Sequence, residues 1–258
     1  FSKRVEETIS AAYARLDWKV WENRLWLVGG VRYEHTEDEA WGPLNDISAT
    51  YQRDAAGRIV RNAAGVPVRI TTDGLQNAQL QYRERGTYAD KSYDGFYPSA
   101  NASFRLREDV TLRAGYAKTI GRPNFAAIIP GVTVPDPAST SRTITVINTG
   151  LRPWTSDAFD LALETYGWKG GTGSVGVFAK DIANFFGATR VLATPELVTA
   201  YNVPEEYPGQ YDGYDIETQI NVGSARIRGF EASYRQPLVF LPDFLKRLQA
   251  HANLTVLN

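Results

Sequence analysis

Ala100-Asn101-Ala102-Ser103-Phe104-Arg105-Leu106-Arg107-Glu108-Asp109-Val110-Thr111-Leu112-Arg113-Ala114-Gly115-Tyr116 is the stretch that decides the fold. Ala100, Ala102, Phe104 and Leu106 alternate with Asn101, Ser103 and Arg105. Arg107-Glu108-Asp109 reads as a tight turn, after which Val110, Leu112, Ala114 and Tyr116 alternate with Thr111, Arg113 and Gly115. Successive strand side chains point to opposite faces, so this is a pair of strands with one apolar face and one polar or charged face.

The rhythm recurs on both sides. A weak alternation over Ile9 to Lys19 turns at Trp21 to Arg24 into a run that sets Leu25, Leu27, Val31 and Tyr33 against Arg32 and Glu34. Further on, Phe159, Leu161 and Leu163 alternate with Asp160, Ala162 and Glu164; Gly170-Gly171-Thr172-Gly173 turns the chain, and Val175, Val177 and Ala179 return. Phe230, Ala232 and Tyr234 form another strand, and Leu248, Ala250, Ala252, Leu254 and Val256 alternate with Gln249, His251, Asn253 and Thr255. The pattern predicts about eight strands.

Their connections are unequal. Short turns near Trp21 to Arg24, Glu108, Gly171 and Leu241 alternate with long polar connections: from about His35 to Tyr93, over Arg122 to Ser156, and from about Gly187 to Gly223. That asymmetry predicts an all-β, antiparallel transmembrane β-barrel segment with short periplasmic turns and long extracellular loops, in which a strand needs only about 9 to 11 residues to cross. Trp18, Trp21, Trp26, Tyr166, Trp168 and Phe240 are candidates for interfacial girdles. Within the first loop, Arg53-Asp54-Ala55-Ala56-Gly57-Arg58-Ile59-Val60 is echoed by Arg61-Asn62-Ala63-Ala64-Gly65-Val66-Pro67-Val68, which predicts two small hairpins above the rim. The competing reading, a soluble carbohydrate-binding β protein, needs the apolar faces buried against a second layer.

Composition narrows the chemistry. The chain has 258 residues, a net charge of -1 and no cysteine, so it lacks the basic excess that nucleic acid requires and has no thiolate chemistry. No run approaches the ~18 consecutive apolar residues of a membrane helix. His35 and His251 have no metal-ligand spacing, no Gly-x-Ser-x-Gly elbow appears, and the Gly170 turn lacks the lysine of a phosphate loop. The acids Glu37-Asp38-Glu39 and Glu205-Glu206 read as solvated loop carboxylates. No catalytic residue, metal or cofactor is expected, and the chain is read as a non-enzyme. Phe1 to Thr8 has no signal-like apolar core and Asn258 falls inside a patterned run, so residues 1–258 are read as a slice of a longer protein.

Gly30-Val31-Arg32-Tyr33-Glu34, Tyr97 to Phe104, Ala114 to Phe125 with Gly121-Arg122-Pro123-Asn124-Phe125, Asn148-Thr149-Gly150-Leu151-Arg152-Pro153 and Gly229 to Tyr234 resemble segments of the TonB-dependent outer-membrane receptor family. The resemblance covers nearly the whole chain in order and spacing. It implies a bacterial outer-membrane location, a 22-stranded barrel of which this chain is a partial domain, and a function in energised uptake of an oligosaccharide or ferric siderophore. Outer-membrane lipid, the protein's own N-terminal plug domain, the TonB complex and a small-molecule or oligosaccharide ligand are the implied partners; neither plug nor TonB box is recognisable here. A passive porin or surface-binding barrel is the alternative of another class.

Ligand capture requires polar and aromatic groups on the outer loops. Tyr201, Asn202, Tyr207, Tyr211, Asp212, Tyr214 and Asp215 offer planar faces and carboxylates, although tyrosines that pack their own loop would look the same. Arg122 and Asn124 open the second loop and Asn148 and Arg152 close it, either to meet an anionic ligand or to anchor the loop to the rim. Arg32, Glu34, Asn101, Arg105, Arg113, Glu231, Gln249, His251 and Asn253 are expected on the lumen wall that faces the plug.

Overall fold

The computed structural model describes residues 2–205 and 207–258, with Trp168 described by its backbone alone. Glu206, one of the paired acids, and the side chain of Trp168, a girdle candidate, lie outside the described residues. In chain order the elements are β1 (Arg4–Val20), β2 (Leu25–Asn45), α1 (Gly74–Gln81), β3 (Tyr82–Arg107), β4 (Val110–Gly121), α2 (Phe125–Ile128), β5 (Val132–Thr133), β6 (Thr143–Val146), β7 (Trp154–Tyr166), β8 (Thr172–Leu192), α3 (Pro195–Ala200), β9 (Asp215–Pro237) and β10 (Gln249–Leu257). Among the described residues they form a 10-stranded sheet in the order β1-β2-β3-β4-β7-β8-β9-β6-β5, with β10 beside β9. Without the short β5 and β6, which belong to the second loop, the wall has the strands that the alternation predicts. They pair antiparallel along the sheet, and β1 and β10 remain its edges.

Register converts the sequence pattern into two faces. The row Gly29, Ala100, Tyr116, Phe159, Ala179, Arg228 runs across β2, β3, β4, β7, β8 and β9 through successive cross-strand partners. Around it lie Leu16, Trp18, Val31, Leu161, Val177 and Val256, all exposed large apolar side chains with no second layer over them. A soluble protein would bury such a surface; a barrel turns it to lipid. Aromatic pairs reinforce it, with Tyr33 and Phe96 centroids 5.1 Å apart and Tyr116 and Phe159 4.9 Å apart.

The upper border of this belt is oblique. On β2 it passes between Tyr33 and His35, above the row just described, whereas on β9 it passes between Phe230 and Arg228, below it. The descent is about 20 Å at ~3.3 Å per strand residue, over a lateral path of about 24 Å at ~4.8 Å per strand step. The ratio corresponds to a strand tilt of about 40°, the inclination of barrel strands to their axis. Lys118, Asp157, Asp181 and Arg226 follow one another across β4, β7, β8 and β9 just above the belt, and Arg226 meets Asp181 at 2.6 Å.

Two girdle assignments are corrected by register. Trp26 alternates with Leu25 and Leu27, so it shares the inner face with its partners Lys19 and Ser103, and the Lys19 ammonium lies 5.4 Å from its ring centroid. Tyr166 likewise points inward beside Glu164, to which its hydroxyl donates. Trp18 lies on the outer face, and Trp21 in the first turn packs edge-on to Phe104 at 5.9 Å.

The long connections are shorter than the alternation predicts because pairing outlasts the apolar pattern. β2 and β3 stay paired, through a bulge beyond Gly42, up to Asn45 and Tyr82, and β8 and β9, through bulges, up to Leu192 and Asp215. Above the lipid an outer face can be polar, so the ladder continues without the signal that marks it below. The two hairpins of the first loop form as expected: Asp54 and Asn62 each accept two backbone N–H groups through Oδ1, Gly57 and Gly65 take φ of +81° and +76°, and Arg53 and Arg61 donate to the carbonyls of those glycines at 2.7 and 2.8 Å.

Leu161 and its neighbour Ala162 test the face assignment. In the bilayer-inserted intact protein, Leu161→Arg is expected to cost about 2–4 kcal/mol and Ala162→Arg much less. Urea unfolding measures both, and equal costs would reject the assignment.

Candidate functional site

The second loop, residues 122–153, acts as a strap. It leaves β4, reaches β2, pairs β5 with β6, and lays β6 parallel to β9 through Thr143, Ile144 and Thr145. β2 and β9 are separated by β3, β4, β7 and β8, so one connection can lie against both only by crossing the concave side of the sheet. The face it touches, with Glu34, Ala40 and Gly42 on β2, is therefore the inner face. All the lumen candidates, Arg32, Glu34, Asn101, Arg105, Arg113, Glu231, Gln249, His251 and Asn253, share that face by register.

The strap is held at named points. Arg122 donates to Glu34, which Arg32 also meets at 2.5 Å. Ile128 and Ile129 bury against Ala40. Pro130 lies directly on Gly42, where an added Cβ would sit 2.4 Å from the Pro130 carbonyl oxygen, and Thr87 Oγ1 donates to that oxygen at 3.3 Å. Asn124 caps α2 by accepting from the Ala127 N–H at 2.9 Å. At the far end Asn148 Nδ2 donates to the Gln219 carbonyl at 3.0 Å, and the Arg152 backbone exchanges hydrogen bonds with the Asn221 side chain at 2.9 and 2.8 Å. Thus the Arg122 and Asn148 side chains fasten the loop to the wall, Asn124 caps the loop's own helix, and Arg152 is held through its backbone.

The three long loops share a core. Val134, Ile144 and Val146 of the strap pack with Ala193, Val198, Val203 and Tyr211 of the third loop and Ile216 of β9, and Ile47 of the first loop rests on them. Paired bulges at Ala183/Phe185 on β8 and Asn221/Gly223 on β9 shift the register above the belt, which turns Ile216 and Thr218 inward to this core. Asp136 of the strap also accepts from the Tyr51 hydroxyl and meets Arg69 at 2.7 Å, while Arg69 stacks 4.9 Å from the Tyr51 ring centroid. The loops form one folded cap.

That cap borders an open cavity of about 560 Å³. Leu44, Gly86, Thr87 and Ala89 form its wall side, Pro130 to Val132 and Val146 to Gly150 its strap side, and Ala200, Tyr201, Asn202 and Pro204 its third-loop side. None of the lining side chains is an Asp, Glu, Lys or Arg. The third-loop candidates separate accordingly. Tyr201 lines the cavity, and Tyr207 and Asp212 are exposed on the loop surface. Tyr211 is corrected from ligand candidate to core residue: it is 6% exposed, its hydroxyl donates to the Pro204 carbonyl at 2.5 Å, and Tyr214 packs edge-on to it at 5.4 Å. Asp215 is paired with Arg190 at 2.9 Å. The strap's contribution to the lining carries only turn signals in sequence, Pro130-Gly131 and Asn148-Thr149-Gly150, and no ligand signal.

On the lumen wall, Arg113 is paired with Glu164 at 2.8 Å, and Gln249 accepts from Arg235 at 2.8 Å. Among the described residues Asn101, Arg105, Glu231, His251 and Asn253 have no side-chain hydrogen bond or ion pair. Among the described residues no three His, Asp or Glu side chains converge as a metal ion would require.

Truncating the fully buried Ile144 to alanine is expected to remove about 2–5 kcal/mol from the cap, read as faster proteolysis of the loops with the wall unchanged. Burial first, and the hydrogen bond to Asp136 second, push the Tyr51 phenol from 10.0 up to about 12. A phenol raised in the fold stabilises the clasp fully below its ordinary value and loses that contribution as pH rises toward about 12. Tyrosinate absorbance of wild type minus Tyr51→Phe is expected to titrate near 12; a difference centred on 10.0 would mean that the clasp is open.

No curated protein matches the chain by sequence. Among solved structures, a double mutant of the Serratia marcescens hemophore receptor HasR, in complex with its hemophore HasA and heme, aligns over 89% of this chain and 32% of its own, with TM-score 0.52 and 16% identity. The copper transporter OprC aligns over 91% of this chain and 27% of its own, with TM-score 0.51 and 13% identity. The chain spans about a third of the length of these proteins, and at such identities the likeness is one of fold. The family described as TonB dependent receptor-like, beta-barrel, matches residues 1–256. With a tilted lipid-facing belt, a polar inner wall and long capped loops matching that description along nearly its whole length, the chain belongs to the TonB-dependent receptor-like β-barrel family of the bacterial outer membrane.

Proposed function

We propose that this chain is wall and cap of an outer-membrane receptor that imports a scarce or large nutrient, an oligosaccharide or a ferric siderophore, with energy delivered through TonB. The observation that carries the reading is the cap itself: three loops from different strand pairs share one core and border a cavity on the outer side of a membrane-spanning wall. A porin has no need of a shared reception site on its outer loops, whereas a receptor that must hold its ligand until force arrives does. The protein acts by binding and movement and not as an enzyme.

Residues 1–258 are then a partial barrel domain, and the N-terminal plug of the longer protein fills the lumen. The inner-face groups without partners, Arg105, Glu231, His251 and Asn253 among them, suit that role, since charges in a wet, plugged lumen gain from polar partners on the plug. Ligand held at Tyr201 and Asn202 would shift the strap, and the strap ends on the same wall that the plug touches. TonB engages the plug from the periplasm.

Whole-cell uptake by the full-length protein is expected to stop when the proton-motive force is collapsed; undiminished uptake would overturn the reading. Tyr201→Ala is expected to weaken ligand binding about tenfold, equivalent to ~1.4 kcal/mol, as measured by titration calorimetry on the detergent-solubilised receptor.

A further inference from the structure

Beneath the strap lies a second polar layer, separate from the cavity above it. On the inner face of β2, Asp38 sits between Glu34, which Arg122 grips, and Ala40, which Ile128 and Ile129 cover. Asp38 is 2% exposed, its cross-strand partner is Lys91, and Thr36, the next inward residue, faces Tyr93. Asp38 Oδ1, Lys91 Nζ, Tyr93 OH and Arg122 Nε are all buried without a hydrogen-bond partner.

Such groups are costly to bury bare, and almost all buried polar atoms in folded proteins find partners. Asp38, Lys91 and Tyr93 occupy adjoining positions on the inner face of β2 and β3, and Arg122 at the start of the strap closes on them. A set of acceptors and donors left open together marks a site completed by something polar.

Its charge selects the guest. Asp38 faces Glu7, Lys91 and Arg122, and Lys91 also faces Arg152, so acids and bases balance. An anionic chelate would meet the carboxylates of Asp38, Glu7 and Glu34 and gain little. A guest without net charge that carries many hydroxyls can both donate to Asp38 and accept from Lys91, Arg122 and Tyr93. The inward-facing rings of Tyr93 and Tyr97 offer flat surfaces for the C–H faces of such a guest. The outer cavity, whose lining has no charged side chain, admits the same class.

We propose that the layer formed by Asp38, Lys91, Tyr93 and Arg122 is an inner binding site for an uncharged polyhydroxylated solute, reached when the strap lifts from β2. This rests on the receptor reading and narrows its substrate class. Lifting requires parting Arg122 from Glu34, Ile128 and Ile129 from Ala40, and the Pro130 carbonyl from Gly42 and Thr87.

The test uses the intact receptor and a panel of neutral glucose, xylose, galactose and mannose oligosaccharides, with a ferric catecholate as the charged comparison. At least one oligosaccharide is expected to bind, and Asp38→Asn and Lys91→Met are each expected to weaken it tenfold or more. Because the chain has no native cysteine, Ala40→Cys with Ile129→Cys can pin the strap by a disulfide. The oxidised form is expected to lose binding and the reduced form to recover it, which a mere folding defect in the single variants would not produce. Absence of binding across the oligosaccharide panel, unchanged affinity in both single variants, or equal binding by the pinned and released forms would each overturn the inference. Energised uptake of the ferric catecholate with no oligosaccharide binding would overturn it while leaving the receptor reading intact.

Discussion

Everything in this wall depends on one requirement: in hydrocarbon, each backbone N–H and C=O must find its partner within the protein. Antiparallel ladders meet it along β1, β2, β3, β4, β7, β8, β9 and β10, and once they do, side-chain parity is no longer free. Leu161 faces lipid because strand parity sets it opposite Asp160, whose carboxylate needs the wet side. The same ladders transmit strand tilt. The belt border descends from Tyr33 on β2 to Phe230 on β9 because lipid is level while the strands are inclined.

Above the belt the requirement changes character. Water can satisfy an outer face, so β2, β3, β8 and β9 extend upward with charged outer residues such as Glu37, Glu39 and Asp90. Their inner faces then become a docking surface for the chain's own loops. Small residues make this possible at Gly42 and Ala40, where the strap approaches the sheet too closely for larger side chains. The bulges at Phe185 and Gly223 do the complementary task on β8 and β9, since without a change of register Ile216 would face outward and the loop core would lose its floor.

The cap explains why residues that look like ligand contacts serve as structure. Tyr211 supplies a ring to the core and a hydroxyl to a carbonyl, and Arg122 fastens the strap to the wall. Aromatic and guanidinium groups suit both tasks for the same physical reasons, large contact area and directional donors. Loops this long stay ordered only by such internal fastening.

The amino-acid sequence by itself determined the spanning strands, their turns, the apolar and polar faces and the tandem hairpins at Asp54 and Asn62, because each follows from local alternation or turn chemistry. The same alternation sets the residues from Arg32 to Asn253 on one face of the sheet. Sequence reading misplaced Trp26 and Tyr166, where large aromatic character was given more weight than parity. Tertiary structure alone decided the strand extensions above the lipid, the strap across the concave face and the wall contacts of Arg122 and Asn148. These depend on contacts between residues far apart in the chain, as Glu34 is from Arg122 and Tyr51 from Asp136, and no local pattern records which distant surface a loop will meet.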